Sequence, residues 1–436
     1  MESRVTELWG ETAAQRSAGP VALGWLDSPL VEEYVAGLTG AGSEFRIAAL
    51  VRRLGIPPTA RWLSVGCGAA AAELLLAEQG LIGSLEGLDI APGAVAAARA
   101  AAERRGIRNV SFRAADVERE RLGESQYDVV LCAMSLHHIR RLEFFLDEVS
   151  AALRPGGWLI LDEYVGPSQW QWTDAQLAAV NAILPAIPER LRRNPLTGEF
   201  KVAVSRPTLA EMDRADPSES VRSGEIIGLV ARQFELVERR DYGGALLHKL
   251  LEYIVGNFDP GRREDAELLR LICACEQALV AAGALQSDFT LVAARSSGQS
   301  GRRSELLFDE SLDRYVVRGL YPVERSGEGR LFCWAEPHAE LALERPPWAR
   351  VLELDLVLPP APRAVRVTLG GAPIGCLRAP RRVPAGRFQR VRLGLPPPRE
   401  RQPTIGLEAD TWSPAEIGGG DDRRALGVAI AGAVYR

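Results

Sequence analysis

Histidine and methionine are scarce in this chain, with four His and three Met in 436 residues. A rare residue is informative wherever two copies fall side by side, as they do at His137-His138. The six cysteines, at positions 67, 132, 273, 275, 333 and 376, form neither a paired disulfide framework nor a zinc-ligand spacing. Buried free thiols in a reducing compartment are the expectation. No run of eighteen apolar residues occurs, which excludes a helical membrane span. The first thirty residues hold no basic segment followed by an apolar stretch, so no secretory signal is expected and the predicted location is cytoplasmic. Excess positive charge is also missing. The 52 Lys and Arg face 57 Asp and Glu, a formal net charge of −5. That argues against a general affinity for nucleic acid.

What is present is an ordinary globular balance, 47% hydrophobic and 25% charged. The length suggests two or three domains. The text changes character near Ser296. Residues 296–304, "SSGQSGRRS", are small and polar, a linker composition. Before them, apolar strands alternate with helices. Strands are expected at Trp62–Val65, Leu85–Leu88, Val110–Arg113, Val129–Cys132 and Trp158–Leu161, with further ones at Phe234–Arg239 and Phe289–Ala294. Helices fit Ala70–Gln79, Gly93–Arg105 and Arg141–Leu153. This βαβα order predicts an α/β, Rossmann-like doubly wound sheet with ligands at the carboxyl ends of its strands. After the linker, alternation takes over, as in Arg350–Leu358, "RVLELDLVL". Short strands between Gly/Pro turns predict a separate all-β domain, a β-sandwich or barrel, with the sandwich as the first choice. The expected division is 1–297, a linker at 298–304, and 305–436.

The first expected strand ends in Gly66-Cys67-Gly68, and an alanine-rich helix follows at once. Missing side chains let the backbone approach a ligand, and the helix start offers N–H groups. No lysine follows in the spacing of a triphosphate-binding loop. Asp89 ends the second strand about twenty residues on, where a carboxylate accepts ribose hydroxyls. Capping the next helix is its alternative role. NAD and S-adenosylmethionine both carry that ribose, so Asp89 leaves the choice open. Asp116 ends the third strand, where an acid can receive an adenine amino group. "YDVVLCAMSLHHI" (Tyr127–Ile139) and "LRPGGWLILDE" (Leu153–Glu163) supply the next two strands.

Taken together these segments resemble the class I S-adenosylmethionine-dependent methyltransferases, especially the small-molecule O-methyltransferase-like branch. The resemblance implies S-adenosyl-L-methionine as cofactor. It places Gly66, Cys67 and Gly68 against the methionyl end, Asp89 with Ile90 on the ribose, and Asp116 with Val117 on the adenine. Cys132 and Ala133 would form the floor beneath the sulfonium. Two positions depart from the family pattern. Ser64 stands where an acid is usual two residues before the first glycine, and Ala70 stands for the third glycine. Trp25–Val35 looks like an N-terminal helical cap, with Trp25 or Trp9 either shielding the cofactor or packing in the core.

Methyl transfer to a hydroxyl needs alignment, exclusion of water and removal of a proton. His137 and His138 fall just past the fourth strand, and a neutral imidazole suits a general base. His138 is the first choice, with His137 and Asp162 next. Asp162 and Glu163 end the neighbouring strand and are expected to orient the base or bind substrate. No metal is expected, because no three ligands are spaced for one. Tyr164, Trp170, His248, Tyr253 and Asn257 supply aromatic and polar groups suited to a sugar, so the expected acceptor is a saccharide or glycan precursor. The loop at 410–424, with Trp412, Glu416, Asp421 and Asp422, could meet a glycan or close on itself. A non-sugar metabolite is the enzymatic rival. No Asn/Asp-Pro-Pro-aromatic motif of amino-group methylation occurs, Asn194–Thr197 lacking the second proline and the aromatic. A scaffold protein with a degenerate domain is the rival of a different class, supported by Ser64 and Ala70.

Overall fold

The computed structural model describes residues 23–296 without a break. Beyond them it describes 305–306, 316–321, 324–326, 331–343, 345, 349–358, 363–378, 388–397, 404–410, 413, 424 and 426–435. Trp9, the expected linker, and Trp412, Glu416, Asp421 and Asp422 lie outside the described residues. The described residues fall largely into two compact units, one before and one after the expected linker.

The first unit is a seven-stranded sheet wrapped by helices. Its strands are β1 (Arg61–Val65), β2 (Ser84–Asp89), β3 (Val110–Ala114), β4 (Tyr127–Ala133), β5 (Leu153–Tyr164), β6 (Phe234–Gly243) and β7 (Phe289–Ser296), in the order β3-β2-β1-β4-β5-β7-β6. The first five run parallel. Contrary to a wholly parallel reading, β7 runs antiparallel to both β5 and β6. Strand β1 is buried on both faces from Trp62 to Val65, as its unbroken apolar run requires. It pairs with β2 on one side and β4 on the other, which makes the ends of β1 and β4 the point where strand order reverses.

The helices are α1 (Pro29–Thr39), α2 (Arg46–Arg53), α3 (Ala71–Glu78), α4 (Pro92–Arg104), α5 (Leu142–Ala152), α6 (Asp174–Ile183), α7 (Leu209–Ala215), α8 (Ile226–Gln233), α9 (Leu247–Leu251) and α10 (Arg263–Ala281). Proline at the first position starts α4, where its missing N–H costs nothing. Thr173 caps α6 and Thr208 caps α7, each in a capping box. One apolar core joins β1 and β4 to α2, α3 and the insertion helices. Trp25 belongs to that core: it stacks on Tyr242 at 6.4 Å and tilts against Phe289 at 5.1 Å.

The second unit is all β: β8 (Glu305–Leu306), β9 (Val316–Leu320), β10 (Glu324–Arg325), β11 (Leu331–Ala342), β12 (Val351–Val357), β13 (Ala364–Leu369), β14 (Ala372–Arg378), β15 (Gln389–Gly394), β16 (Thr404–Ala409) and β17 (Ala429–Tyr435). Leu352, Leu354 and Leu356 are buried as the alternation in β12 predicts. Of the sandwich and barrel alternatives, the described strands take the one nearer a barrel. The long β11 pairs with β17 through Cys333 and Trp334 and with β16 from His338 to Ala342. A single hydrogen-bonded sheet results, in the order β14-β13-β16-β11-β17-β12-β15. A Cβ at Gly375 of β14 would lie 2.6 Å from Leu393 of β15, so the two ends touch and the sheet is nearly a barrel.

Candidate active site

The carboxyl ends of β1 to β5 gather most of the residues singled out from sequence. The turn after β1 has Gly66 at φ +65° and Gly68 at φ +53°. Ala70 then sits at φ +60°, immediately before α3, where the usual residue would be a glycine. A Cβ on Gly66 would come within 2.4 Å of the Cβ of Ser135, the start of the histidine loop. Ser135 Oγ in turn donates to the carbonyl of Val65 at 2.6 Å. The glycine turn and the histidine loop are thus pressed together, and only glycine permits it. At Gly68 the opposite holds, since no described atom lies within 4 Å of an added Cβ. That opening is what a closely approached ligand needs.

Asp89 accepts the N–H of Gly68 through Oδ2 and that of Ala91 through Oδ1, both at 2.8 Å. It therefore ties the glycine turn to the start of α4. Burial raises its pKa, against the two backbone donors. Asp116 accepts Glu118 N–H at 2.9 Å and faces Arg119 at 3.3 Å. Cys132 is fully enclosed in β4, while Ala133 is half-buried at its end.

Sequence reasoning missed Glu73. Ser64 Oγ donates to Glu73 Oε1 at 2.6 Å, with both residues buried. Glu73 lies in the first turn of α3, so a carboxylate stands beside Ser64 after all. Burial pushes the pKa of Glu73 up, and the Ser64 bond works against that. The signal in the sequence was an acid inside an otherwise apolar helix start.

The histidine loop is built around Glu163, the next-to-last residue of β5. One carboxylate oxygen accepts the N–H groups of Ser135 at 2.8 Å and Leu136 at 2.6 Å. The other lies 2.7 Å from His137 Nδ1. Burial opposes a charge on His137, but the Glu163 carboxylate prevails and its pKa is raised. His138, whose Nδ1 lies 3.2 Å from Ser218 Oγ, has its pKa held well below the usual value by burial and by His137.

Asp162, expected beside the base, is not there. Successive strand residues point to opposite faces, and Asp162 faces α2 and β6. Arg46 Nε donates to it at 2.9 Å and the Tyr242 hydroxyl at 2.6 Å. Glu163 holds the place beside the imidazole instead.

A third group joins the histidines from a loop 80 residues downstream. Glu219 lies 3.9 Å from His137 Nε2 and 4.0 Å from His138 Nε2. The loop is fastened by Val221 N–H to His137 O at 3.1 Å and by Gln169 N–H to Ser220 O at 2.7 Å. Met134, Gln169, Trp170 and Ser220 all have φ between +51° and +55°. Such strain in non-glycine residues persists where surrounding structure fixes it, and it gathers here around the histidines.

Comparison with known proteins agrees with this geometry. The methyltransferase domain family matches residues 63–161. Aklanonic acid methyltransferase DauC of Streptomyces sp. (strain C5) is 38% identical over 150 residues, covering 34% of this chain and 68% of that protein. The chain belongs to the class I S-adenosylmethionine-dependent methyltransferase family. Tenellin synthetase of Beauveria bassiana is 38% identical over 66 residues, 14% of this chain; the match spans only 2% of that relative's length. Among solved structures, geranyl diphosphate C-methyltransferase of Streptomyces coelicolor A3(2) is 13% identical, with 68% of this chain and 97% of that one covered and a TM-score of 0.38.

The expected acceptor residues divide. Tyr164 meets His137 edge-on at 6.2 Å and His248 at 6.0 Å, and His248 meets Trp170 at 6.1 Å. These form an aromatic wall beside the histidines. Lys249 lies over Trp170 and Trp172, at 3.8 and 4.5 Å from the ring centroids. Tyr253 lies elsewhere, in a cleft with Phe200, Lys201 and Glu252. Asn257 donates to the carbonyls of Leu191 and Arg193, at 3.0 and 2.7 Å, and so ties the insertion together. Among the described residues, no helix is long and apolar enough to cross a membrane.

Proposed function

We propose that this chain transfers a methyl group from S-adenosylmethionine to a hydroxyl of a small polyhydroxylated acceptor, a saccharide or glycan precursor. One observation carries the reading: the glycine turn and the imidazole–carboxylate cluster abut through Gly66 and Ser135. The cofactor turn thereby lies directly against the loop that carries the groups able to take a proton.

The residues present fit the cofactor. Gly68 has room for a ligand at its Cα. Asp89 accepts one N–H on each oxygen, and a carboxylate has lone pairs left for ribose hydroxyls. Ser64, backed by Glu73, and the Gly66-Cys67-Gly68 backbone would hold the methionyl end. Asp116 with Val117 would hold the adenine. When bound, S-adenosylmethionine supplies a methyl carbon that bonds to the acceptor oxygen as the C–S bond breaks, the electron pair remaining on sulfur. The chain's part is to align that oxygen, exclude water and take up its proton at the cluster of His137, His138 and Glu219.

The saccharide reading draws on the aromatic and polar side chains gathered beside the cluster, Tyr164, Trp170 and His248 among them. The name of the Streptomyces relative favours a second reading, a non-sugar metabolite. We read 1–297 as the catalytic domain, 298–304 as linker and 305–436 as a glycan-contacting module, in a cytoplasmic protein. A methyl-transfer screen over nucleotide sugars, oligosaccharides and aromatic acids, read by product mass, tests this. Methylated sugars support it. Methylation of aromatic acids alone moves the assignment to the second reading.

A further inference from the structure

Two histidines and a glutamate, His137, His138 and Glu219, present one ligand atom each within 4.8 Å of one another, and Glu219 faces the Nε2 of both rings. All three are buried or half-buried. Sequence spacing gave no hint of this, because the carboxylate arrives from a distant loop. From this arrangement we propose that the cluster binds one divalent first-row transition metal ion.

Three features on the page support a built site. First, the donor set is two imidazoles and one carboxylate, which suits such ions and leaves positions open for an acceptor. Second, both rings are held from behind. His137 Nδ1 lies 2.7 Å from Glu163, a carboxylate–imidazole pair that fixes the tautomer and aims Nε2 forward. Ser218 Oγ donates to Asp216 Oδ1 at 2.7 Å. Its lone pair therefore faces His138 Nδ1 at 3.2 Å and accepts from it. Both Nε2 atoms thus point the same way, toward Glu219. Ser220 steadies that carboxylate, donating to Oε1 at 2.6 Å.

Third, charge accumulates. Glu163, Asp216 and Glu219 surround two imidazoles, and the buried Asp216 Oδ2 finds no hydrogen-bond partner. It stands 3.9 Å from His138 Nδ1. The nearby cation, Lys249, is paired with Glu252 at 2.9 Å and lies on the two tryptophans. Three carboxylates enclosed around two imidazoles are costly unless a cation compensates them.

Ligand atoms around one ion at ~2.1 Å lie about 3–4 Å apart. Glu219 Oε1 is 3.9 Å from His137 Nε2 and Oε2 is 4.0 Å from His138 Nε2, already in that range; the widest spacing in the group, within 4.8 Å, must shorten when an ion binds. Resting on the proposed methyl transfer, this site would take the acceptor hydroxyl as a further ligand and lower its pKa, so that its proton passes to solvent while the imidazoles and Glu219 serve as ligands in place of taking the proton themselves.

The test is metal binding by the full-length protein after chelator treatment. Cobalt is titrated with visible spectroscopy, zinc and manganese by calorimetry, and folding of each variant is checked by circular dichroism. One equivalent is expected, with ligand-field bands for cobalt. Glu219→Ala and His138→Ala should each weaken binding tenfold or more, and Glu163→Gln by about ten- to a hundredfold through His137. Glu219→Asp keeps the donor and should retain most of the affinity. Absence of saturable binding overturns the proposal, as does binding that Glu219→Ala leaves unchanged. Methyl transfer that proceeds in chelator removes the metal while leaving the methyltransferase reading intact. Stoichiometric metal with no cofactor binding does the reverse.

Discussion

Ser64 Oγ lies 2.6 Å from Glu73 Oε1, which sets a buried carboxylate on α3 beside the strand position where the resemblance leads to the expectation of an acid. Removing it should cost cofactor affinity. A hydrogen bond to a charged group contributes roughly 1.5–3 kcal/mol, so Glu73→Ala should weaken S-adenosylmethionine binding by about ten- to a hundredfold. The double change Ser64→Asp with Glu73→Ala returns the acid to the strand and should recover most of the loss in calorimetry. If the double variant binds no better than Glu73→Ala alone, Glu73 serves packing and not the cofactor.

The two glycines of the turn should fail differently. Gly66→Ala puts a methyl 2.4 Å from the Ser135 Cβ in a left-handed backbone, so it should lower the melting temperature markedly. Gly68→Ala meets no described protein atom. It should cost only about 1 kcal/mol of stability, yet still impair cofactor binding. Melting curves and cofactor titrations on the same two proteins separate these effects. Equal destabilisation by both would contradict the geometry.

Asp162 should behave as part of the scaffold. Its partners are Arg46 at 2.9 Å and Tyr242 at 2.6 Å, with Arg46 and Asp162 both largely buried. Breaking a buried ion pair from one side costs about 3–5 kcal/mol because the other charge is stranded. Arg46→Met and Asp162→Asn should therefore each destabilise strongly, and the double variant less than their sum. Strict additivity in denaturant unfolding would show the pair to be uncoupled.

Asp288 predicts a slope of stability with pH. Burial raises its pKa, Glu276 adds to this, and the Gln176 bond works the other way, leaving it at about 7 against an ordinary 3.8. Between those values the folded state holds a proton that the unfolded state has released. Stability should therefore fall as pH rises from about 4 to about 7, by at most ~1.4 kcal/mol per unit. Asp288→Asn should flatten that part of the curve. An unchanged slope in urea unfolding at several pH values would assign it to other groups.

The centre of the sheet was readable from sequence because β1, β4 and the middle of β5 are apolar runs closed by turn signals. β1 to β4 and the helices between them fall within a few residues of expectation, as at Arg61–Val65 against Trp62–Val65. The site was readable only where its residues end strands. Asp89, His137 and Glu163 sit at such ends. Glu73 and Glu219 do not, and nothing local distinguishes an acid that reaches a strand or meets a histidine 80 residues away. The exchange of roles between Asp162 and Glu163 turned on which face of β5 each occupies, and both faces there are buried. In the second unit, alternation gave the strands, but that β11 serves both halves of one sheet depends on long-range pairing.

Titration of S-adenosylmethionine into the full-length protein, followed by calorimetry, tests the central claim most directly. The account predicts saturable one-to-one binding. It also predicts that Gly68→Val, which melts lower than Gly68→Ala because a branched residue is strained at φ +53° but still folds, abolishes that binding, because its side chain fills the space the turn leaves open. No heat from the folded wild-type protein would contradict it, and so would a folded Gly68→Val variant that binds as tightly as the wild type.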